Sequence, residues 1–421
     1  MLVNFTLKNF RSFRDEKVFD LQSSSIKEHK DSIINKGKYK LLPLSIFYGA
    51  NSSGKSNLLK AITIMRSIIV NSKQLNQWSA LPYEPFAFDN TSTNQPTLFE
   101  IQFIQEESLY RYGFEYNKQE IISEWLYEKR FSEKEYELFV RVGDTIKLSE
   151  KRFQEGIGKE EATEKNRLFL SVVAQLKGKK SQSILNWFHG CRFLSGIDNN
   201  AYEEYSFEHF LNKTQEAKQA QDFFNTLQLG FNNFFVKKEK ISNEMFNLFP
   251  DFVKIQLGTD ENSATLLNSY TIHNIYDEYG KIIEQKEFAK NKIESEGTKK
   301  IIEISIPIFD TLNRGAVLVV DELDAKLHPL LTRNIVLLFM NPNINKNGAQ
   351  LIFATHDTNL LDLNIIRRDQ IWFTEKDNTE STDIYSLIEF KDEEGNKIRN
   401  DRDIKKDYIR GRYGAIPFIG V

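Results

Sequence analysis

One octapeptide restricts the fold of this chain more than any other feature. Gly49-Ala50-Asn51-Ser52-Ser53-Gly54-Lys55-Ser56 fits the pattern G-x-x-x-x-G-K-S. It follows the strand-like Leu44-Ser45-Ile46-Phe47-Tyr48 and precedes the helical stretch Asn57-Leu58-Leu59-Lys60-Ala61-Ile62. Glycines in such a turn let backbone amides and a helix N-terminus wrap anionic oxygens. Lys55 supplies a point charge for β- and γ-phosphates, and the Ser56 hydroxyl is placed to ligate magnesium. Gly49, Asn51, Ser53, Gly54 and Asn57 complete the expected nucleotide-binding set. The bland alternative is a glycine turn that merely starts a helix.

A second element points to the same chemistry. Ala316-Val317-Leu318-Val319-Val320-Asp321-Glu322 reads as a buried strand ending in a carboxylate pair. Asp321 is expected to hold the magnesium shell and Glu322 to polarise the water that attacks a γ-phosphate. Another apolar strand ends in Phe353-Ala354-Thr355-His356, from which His356 can reach the γ-phosphate end of such a site. Alone, it would be an ordinary strand-end histidine. Glu294-Ser295-Glu296-Gly297-Thr298 precedes the helix feeding the Asp321 strand, and its Ser-x-Gly at a helix start is a further anion site.

Composition closes off other classes. A chain of 421 residues, 40% hydrophobic and 13% aromatic, can fill a sizeable core. The formal net charge of −3 advertises no global nucleic-acid or acidic-membrane binder. Cys191 is the single cysteine, which excludes an internal disulfide and a cysteine-paired zinc site. The start of the sequence lacks a charged lead with an apolar signal core, and no run approaches the ~20 apolar residues that span a bilayer. A cytoplasmic protein without membrane contact is the expectation.

Along the chain, strands are expected at Leu2–Leu7, Leu44–Tyr48, Leu109–Tyr116, Ile121–Arg130 and Glu137–Val142. Tyr110, Tyr112, Phe114 and Tyr116 share one side of a pleat, read as a packed sheet face rather than a base-stacking platform. Helices are expected at Arg167–Leu176 and Ile184–Phe188, then over a long stretch from Phe207 to about Phe249. Strands at Val253–Leu257 and Tyr270–Tyr276 follow, the latter entering a hairpin at Glu278-Tyr279-Gly280. After Gly297 the rhythm is doubly wound: helix Thr298–Asn313, strand Ala316–Val320, helix His328–Met340, strand Gln350–Ala354, a helix, and strand Gln370–Thr374. Residues 1–160 thus form the first half of an ATPase core with an antiparallel β subdomain. Residues 161–290 form a mostly helical insertion, and residues 291–421 the second half of the core.

The order of phosphate loop, Ser-x-Gly helix, Asp-Glu strand, Leu323-Asp324 and strand-end histidine resembles an ABC-type ATPase head, an α/β P-loop NTPase fold. Leu7-Lys8-Asn9-Phe10-Arg11-Ser12-Phe13 resembles the start of the SMC and RecF branch. Three further stretches are similar to bacterial ATPases of the RloA/AbiL type. They are Asp321-Glu322-Leu323-Asp324-Ala325-Lys326-Leu327-His328-Pro329, Arg367-Arg368-Asp369-Gln370-Ile371-Trp372-Phe373 and Gly411-Arg412-Tyr413-Gly414-Ala415-Ile416-Pro417. These ATPases are relatives of the overcoming-lysogenization-defect ATPases and of the ATPase subunit of PARIS anti-phage systems. The resemblance implies a Mg2+-dependent ATPase that forms a homodimer, or a higher homo-oligomer, around ATP. Ser295 and Gly297 of one copy would close over the γ-phosphate held by Lys55 of the other. Asp324 would sit at the dimer contact, and Arg11 would approach the nucleotide of its own copy. It further implies a sensor or scaffold in phage defence that controls a separate effector, a Toprim nuclease.

Two departures from the family pattern stand out: Ser52-Ser53 where a glycine usually follows the asparagine, and Glu296 inside the Ser-x-Gly signature. Gln77 and Pro85-Phe86-Ala87-Phe88-Asp89 are candidates for the glutamine loop. The acidic run Asp392-Glu393-Glu394 reads as a hairpin turn, not a nuclease metal site. Basic clusters at Lys177-Gly178-Lys179-Lys180, at Lys237-Lys238-Glu239-Lys240 and among Arg399, Arg402, Lys405, Lys406, Arg410 and Arg412 read as solvated faces, the last paired with interleaved aspartates. The competing reading is a RecF-like factor of DNA repair or recombination that clamps DNA under ATP control, with salt-sensitive binding.

Overall fold

A computed structural model describes residues 1–76, 78–197, 200–240, 265–391, 395 and 397–416. Gln77, the strand expected at 253–257, the end of the long helix expected to 249, the acidic run 392–394 and Pro417 fall outside the described residues. The chain divides into two compact units. The first holds Met1–Ser195, Thr311–Asp324 and Thr332–Val421; the second holds Gly196–Asp310 and Ala325–Leu331.

The first unit contains a seven-stranded antiparallel sheet. Its order is β10 (Thr145–Leu148), β9 (Tyr136–Val142), β8 (Ile121–Arg130), β7 (Ser108–Tyr116), β6 (Thr97–Gln105), β1 (Leu2–Lys8) and β2 (Lys17–Asp20). In β7 the expected stripe is the core face: Tyr112, Phe114 and Tyr116 are wholly buried. A small hairpin, β3 (Ile34–Lys36) and β4 (Tyr39–Leu41), stands apart.

The second sheet of this unit carries the motifs. Its order is β11 (Arg192–Ser195), β15 (Val317–Asp321), β16 (Gln350–Ala354), β5 (Leu44–Gly49), β17 (Ile371–Lys376) and β18 (Thr382–Ser386). All neighbours are parallel except the antiparallel edge strand β18. Parallel strands buried on both faces read as continuous apolar runs, and β5 and β16 are buried throughout. Helix α1 (Lys55–Asn71) buries Leu58, Leu59, Ala61, Ile62, Met65, Ile68 and Ile69. These side chains join Phe5, Phe99, Phe103 and Tyr112 of the antiparallel sheet, and Phe47, Val319 and Ile352 of the parallel one, in one apolar cluster. Each fully buried large apolar side chain contributes ~1.5–3 kcal/mol. The helix that begins at the phosphate loop is therefore wedged between two sheets.

Two short helices, α2 (Phe169–Gln175) and α3 (Lys179–Gly190), complete this core. Buried Glu124 accepts from the amides of Phe169 (2.7 Å) and Leu170 (3.1 Å), so a carboxylate from the sheet caps α2. The stretch from Arg367 has a structural role of the same kind. Arg367 and Asp369 pair at 2.7 Å, Asp369 accepts from Ser24 N and Oγ at 2.8 Å each, and Arg367 donates to the Glu28 carbonyl. Together they clamp residues 24–28 beside the start of β17.

In the second unit, α4 (Asn200–Leu211) and α5 (Gln215–Leu227) precede a three-stranded sheet of β12 (Asn233–Lys240), β13 (Thr265–Tyr276) and β14 (Ile282–Ala289). The long helix expected from Phe207 is thus two helices and a strand. Gln228 adopts a left-handed φ of 51° and ends α5, and Phe234 and Val236 then alternate inward from β12. A hairpin turn joins β13 to β14 around Asp277, Tyr279 and Gly280, as expected. Helices α6 (Glu296–Arg314) and α7 (Pro329–Met340) match their patterns within two residues. The helix expected after Ala354 is instead a pair of single 3-10 turns, Thr358–Leu360 and Arg368–Gln370. Asp357 and Asp362 take local backbone amides there, which competes with a continuous helix.

The basic clusters are partly spent on ion pairs: Lys180 with Glu128, Lys237 with Glu287, and Arg402 with Asp407. The last pair joins Arg402 to Asp407 on the expected C-terminal helix, α8 (Ile404–Ile409). Its Tyr408 ring packs on Tyr48 and Phe373, beneath the phosphate-loop strand. Among the described residues, no helix is long and apolar enough to cross a membrane.

Candidate functional site

The carboxyl ends of β5, β15, β16 and β17 are nearly level. Phe47 faces Ala354, Gly49 faces Thr374, and Val320 faces Phe353. Loops at such ends are where ligands bind open α/β sheets. The β5 loop leads into α1, whose N-cap is Gly54 at φ 112°, a conformation costly for any residue with a Cβ. A Cβ there would also lie 2.4 Å from Thr382 Oγ1. Gly49 is equally confined, between Ser53 Oγ and Thr374 Oγ1.

Several distant segments hold this loop. Ser53 Oγ and Thr374 Oγ1 are 2.5 Å apart, and Thr382 Oγ1 donates to the Ser53 carbonyl at 3.0 Å. Lys55 is buried, its ammonium donating to the carbonyls of Gly49 (2.7 Å) and Ala50 (3.0 Å). Burial lowers its pKa, opposed by the carboxylates of Asp321, Glu322 and Asp324. Asn51 and Ser52 are exposed at the mouth of the loop.

Strand β16 lies between β5 and β15, yet Ser56 Oγ donates to Asp321 Oδ1 at 3.0 Å. A hydroxyl and a carboxylate at that separation are hard oxygen donors that suit Mg2+. Glu322 follows with φ 56°, a left-handed conformation that turns the chain sharply off the strand. The Leu323 amide then bonds the Ala354 carbonyl at 3.2 Å, tying the Asp-Glu turn to the end of β16. Asp324 Oδ2 accepts from the His356 amide at 3.3 Å, while its buried Oδ1 has no partner among the described residues. Partial desolvation, reinforced by the Lys55 charge, lowers the pKa of the His356 imidazole. Lys55, Ser56, Asp321, Glu322, Asp324 and His356 thus share one neighbourhood.

Arg11, at φ 49°, reaches the other side of the loop. It pairs with Glu84 at 2.7 Å and donates to Asn57 Oδ1 at 3.4 Å. Ser12 joins Asn57 (2.9 Å) to Thr382 (2.8 Å). Arg11, Ser12, the loop from Ser52 to Asn57, Glu84, Phe88 and Lys376 line a cleft of about 610 Å3. Pro85 and Ala87 line it too, so part of the segment considered for the glutamine loop reaches this cleft. Residue-by-residue reading missed Glu84, Thr374, Lys376 and Thr382. Only Thr374, at the end of an apolar strand, carried a local signal.

Ser295 and Gly297 belong to the second unit. Ser295 Oγ accepts from the Thr298 amide at 3.1 Å, so the serine caps α6. A Cβ on Gly297 would lie 2.9 Å from the Lys326 carbonyl, so this close approach needs glycine. Glu296 is exposed and ion-paired with Lys299 (3.1 Å) and Lys326 (3.2 Å), whose hydrogen bonds and charges lower its pKa.

A family profile described as "AAA domain, putative AbiEii toxin, Type IV TA system" matches residues 44–362. A search of curated proteins finds no match. Solved structures similar to this chain include the SMC head domain from Thermotoga maritima, at 11% identity and a TM-score of 0.40, covering 91% of this chain and 98% of that one. Another is the recombination mediator protein RecF with ATP, of the RecFOR pathway, at 13% identity and a TM-score of 0.29, covering 91% of this chain and 97% of that one. The fold is a mixed α/β P-loop ATPase core of the AAA-domain family, joined by an antiparallel sheet.

Proposed function

We propose, from the premise that the chain belongs to this family of AAA domains, that it hydrolyses ATP in a site completed by a second copy of itself. The observation that carries this reading is the Ser56–Asp321 contact at 3.0 Å, with Lys55, Glu322 and His356 around it. Lys55 and the loop amides bind the β- and γ-phosphates, and Arg11 lies on the nucleotide's flank. Ser56 and Asp321 would hold Mg2+, which neutralises phosphate charge when bound. Glu322 takes the proton of the attacking water, and His356, largely neutral near pH 7, can donate a hydrogen bond to the γ-phosphate. Ser295 and Gly297 of the second copy close over that phosphate, with Asp324 at the contact.

ATP then joins two copies and its hydrolysis releases them, which makes a switch. We place the chain with ATPases of the RloA/AbiL type and infer that the switch controls a separate effector, a Toprim nuclease, in bacterial anti-phage defence. The motifs quoted above support this, as does a family description that names a toxin–antitoxin system. Mg2+-dependent release of phosphate by the purified chain, lost in Glu322→Gln with nucleotide binding retained, tests the enzymatic part. An inert chain, with no nucleotide-dependent change in size, overturns it. Co-purification with the product of an adjacent Toprim gene tests the effector.

A further inference from the structure

The sheet of the second unit ends, among the described residues, on β14. Residues 282–287 of this strand are exposed, Ile282 at 51% and Ile283 at 61%. An exposed edge with adjacent isoleucines offers a row of backbone donors and acceptors to another strand. The charges on this edge select which strand that is.

We propose that β14 pairs antiparallel with β14 of a second copy, across a two-fold axis at Gln285, making one continuous sheet from the two three-stranded ones. Directly opposite residues project to the same face, and residues two apart share it. In this register Ile282 meets Phe288 and Glu284 meets Lys286, each pair occurring twice, all on one face. On the other face Gln285 meets its own copy, flanked by Ile283 against Glu287. Glu287 already pairs with Lys237 at 2.5 Å, so its charge is balanced within each copy. Lys286 lies 5.8 Å from the Phe288 ring, which places charge and apolar surface side by side for the opposing strand.

Neighbouring registers lose this match. An axis at Glu284 or Lys286 sets like charges opposite each other. An axis between two residues would set odd positions against even ones, which project to opposite faces, so it gives no antiparallel register. Like charges directly opposite destabilise a strand pair, and opposite charges stabilise it. The contact is isologous and requires no nucleotide. One strand pair covers less than the ~1,200 Å2 of a standard interface, so the contact is a modest one. It goes beyond the ATP-dependent contact proposed above.

The test uses the full chain without nucleotide. Gln285→Cys is expected to give a disulfide-linked dimer under mild oxidation, because the two side chains face each other across the axis. Ile283→Cys is expected not to, since its copies lie roughly 13 Å apart along the strands. Buried Cys191 does not compete. In the Gln285→Cys background, Glu284→Lys or Lys286→Glu alone should reduce the dimer at least fivefold, and both together should restore it. No dimer from Gln285→Cys, equal dimer from Ile283→Cys, or indifference to the charge changes each overturns the pairing. A Lys55→Ala background must give the same pattern, which separates this contact from the ATP site.

Discussion

The phosphate loop and the Ser295 turn are both helix starts, but the fold holds them very differently. The loop is confined by residues far away in sequence: Thr374 and Thr382 touch Ser53, Ser12 reaches Asn57, and α1 is packed between two sheets. The Ser295 turn is held largely by its neighbours, Ser295 by Thr298 and Glu296 by Lys299, with Lys326 as the more distant contact. A site that binds phosphate in every state must be preorganised within one copy. A surface proposed to complete the site of another copy has to stay accessible, and Ser295 is exposed.

The comparison breaks most sharply at the loop. Lys55→Ala should weaken ATP binding by roughly 100-fold or more, measured by calorimetry, if Lys55 is the cation for both the β- and γ-phosphates. Glu322→Gln should leave binding near normal and lower the hydrolysis rate by ~10²–10⁴-fold, the usual contribution of a general base. Next come the glycines. Gly54→Ala combines a forbidden φ with a 2.4 Å clash and should lower stability by ~2 kcal/mol or more in denaturant titration. Gly297→Ala meets a carbonyl at 2.9 Å at an exposed turn, so it should cost ~1 kcal/mol while lowering the rate with binding unchanged.

How far these regions were legible in the sequence follows the same division. Gly49–Ser56, the Asp321 strand and the His356 strand announce themselves because strand, turn and helix signals there are local. Strand-end alignment was inferable from their apolar runs. The cleft wall made by Glu84 and Lys376 was not, since nothing near those residues marks them. Likewise, Arg367-Arg368-Asp369 could be matched to a family, but its work, clamping residues 24–28 from far along the chain, is visible only in three dimensions. In the second unit the aromatic run after Phe207 fits helix and strand patterns alike, and the break at Gln228 decided between them.

Smaller effects sharpen the contrast. Ser295→Ala removes a helix cap worth ~1 kcal/mol, yet should reduce hydrolysis well beyond that with ATP affinity of the isolated chain intact. The smallest effect concerns His356. Its depressed pKa means that the unfolded chain takes up the proton first, so stability falls as pH drops through the ordinary value of 6.5. His356→Asn should flatten that part of the stability profile, read by thermal melts between pH 7 and 5.

Mixing two variants expected to be impaired in hydrolysis tests the two-copy site most directly. Lys55→Ala and Ser295→Ala are each expected to hydrolyse little ATP alone, but a mixed dimer would contain one site with both residues intact. Recovery of ATP hydrolysis on mixing, rising with the fraction of mixed dimer, is the predicted result. No recovery across all mixing ratios, with mixed dimers present, would contradict a site shared between copies.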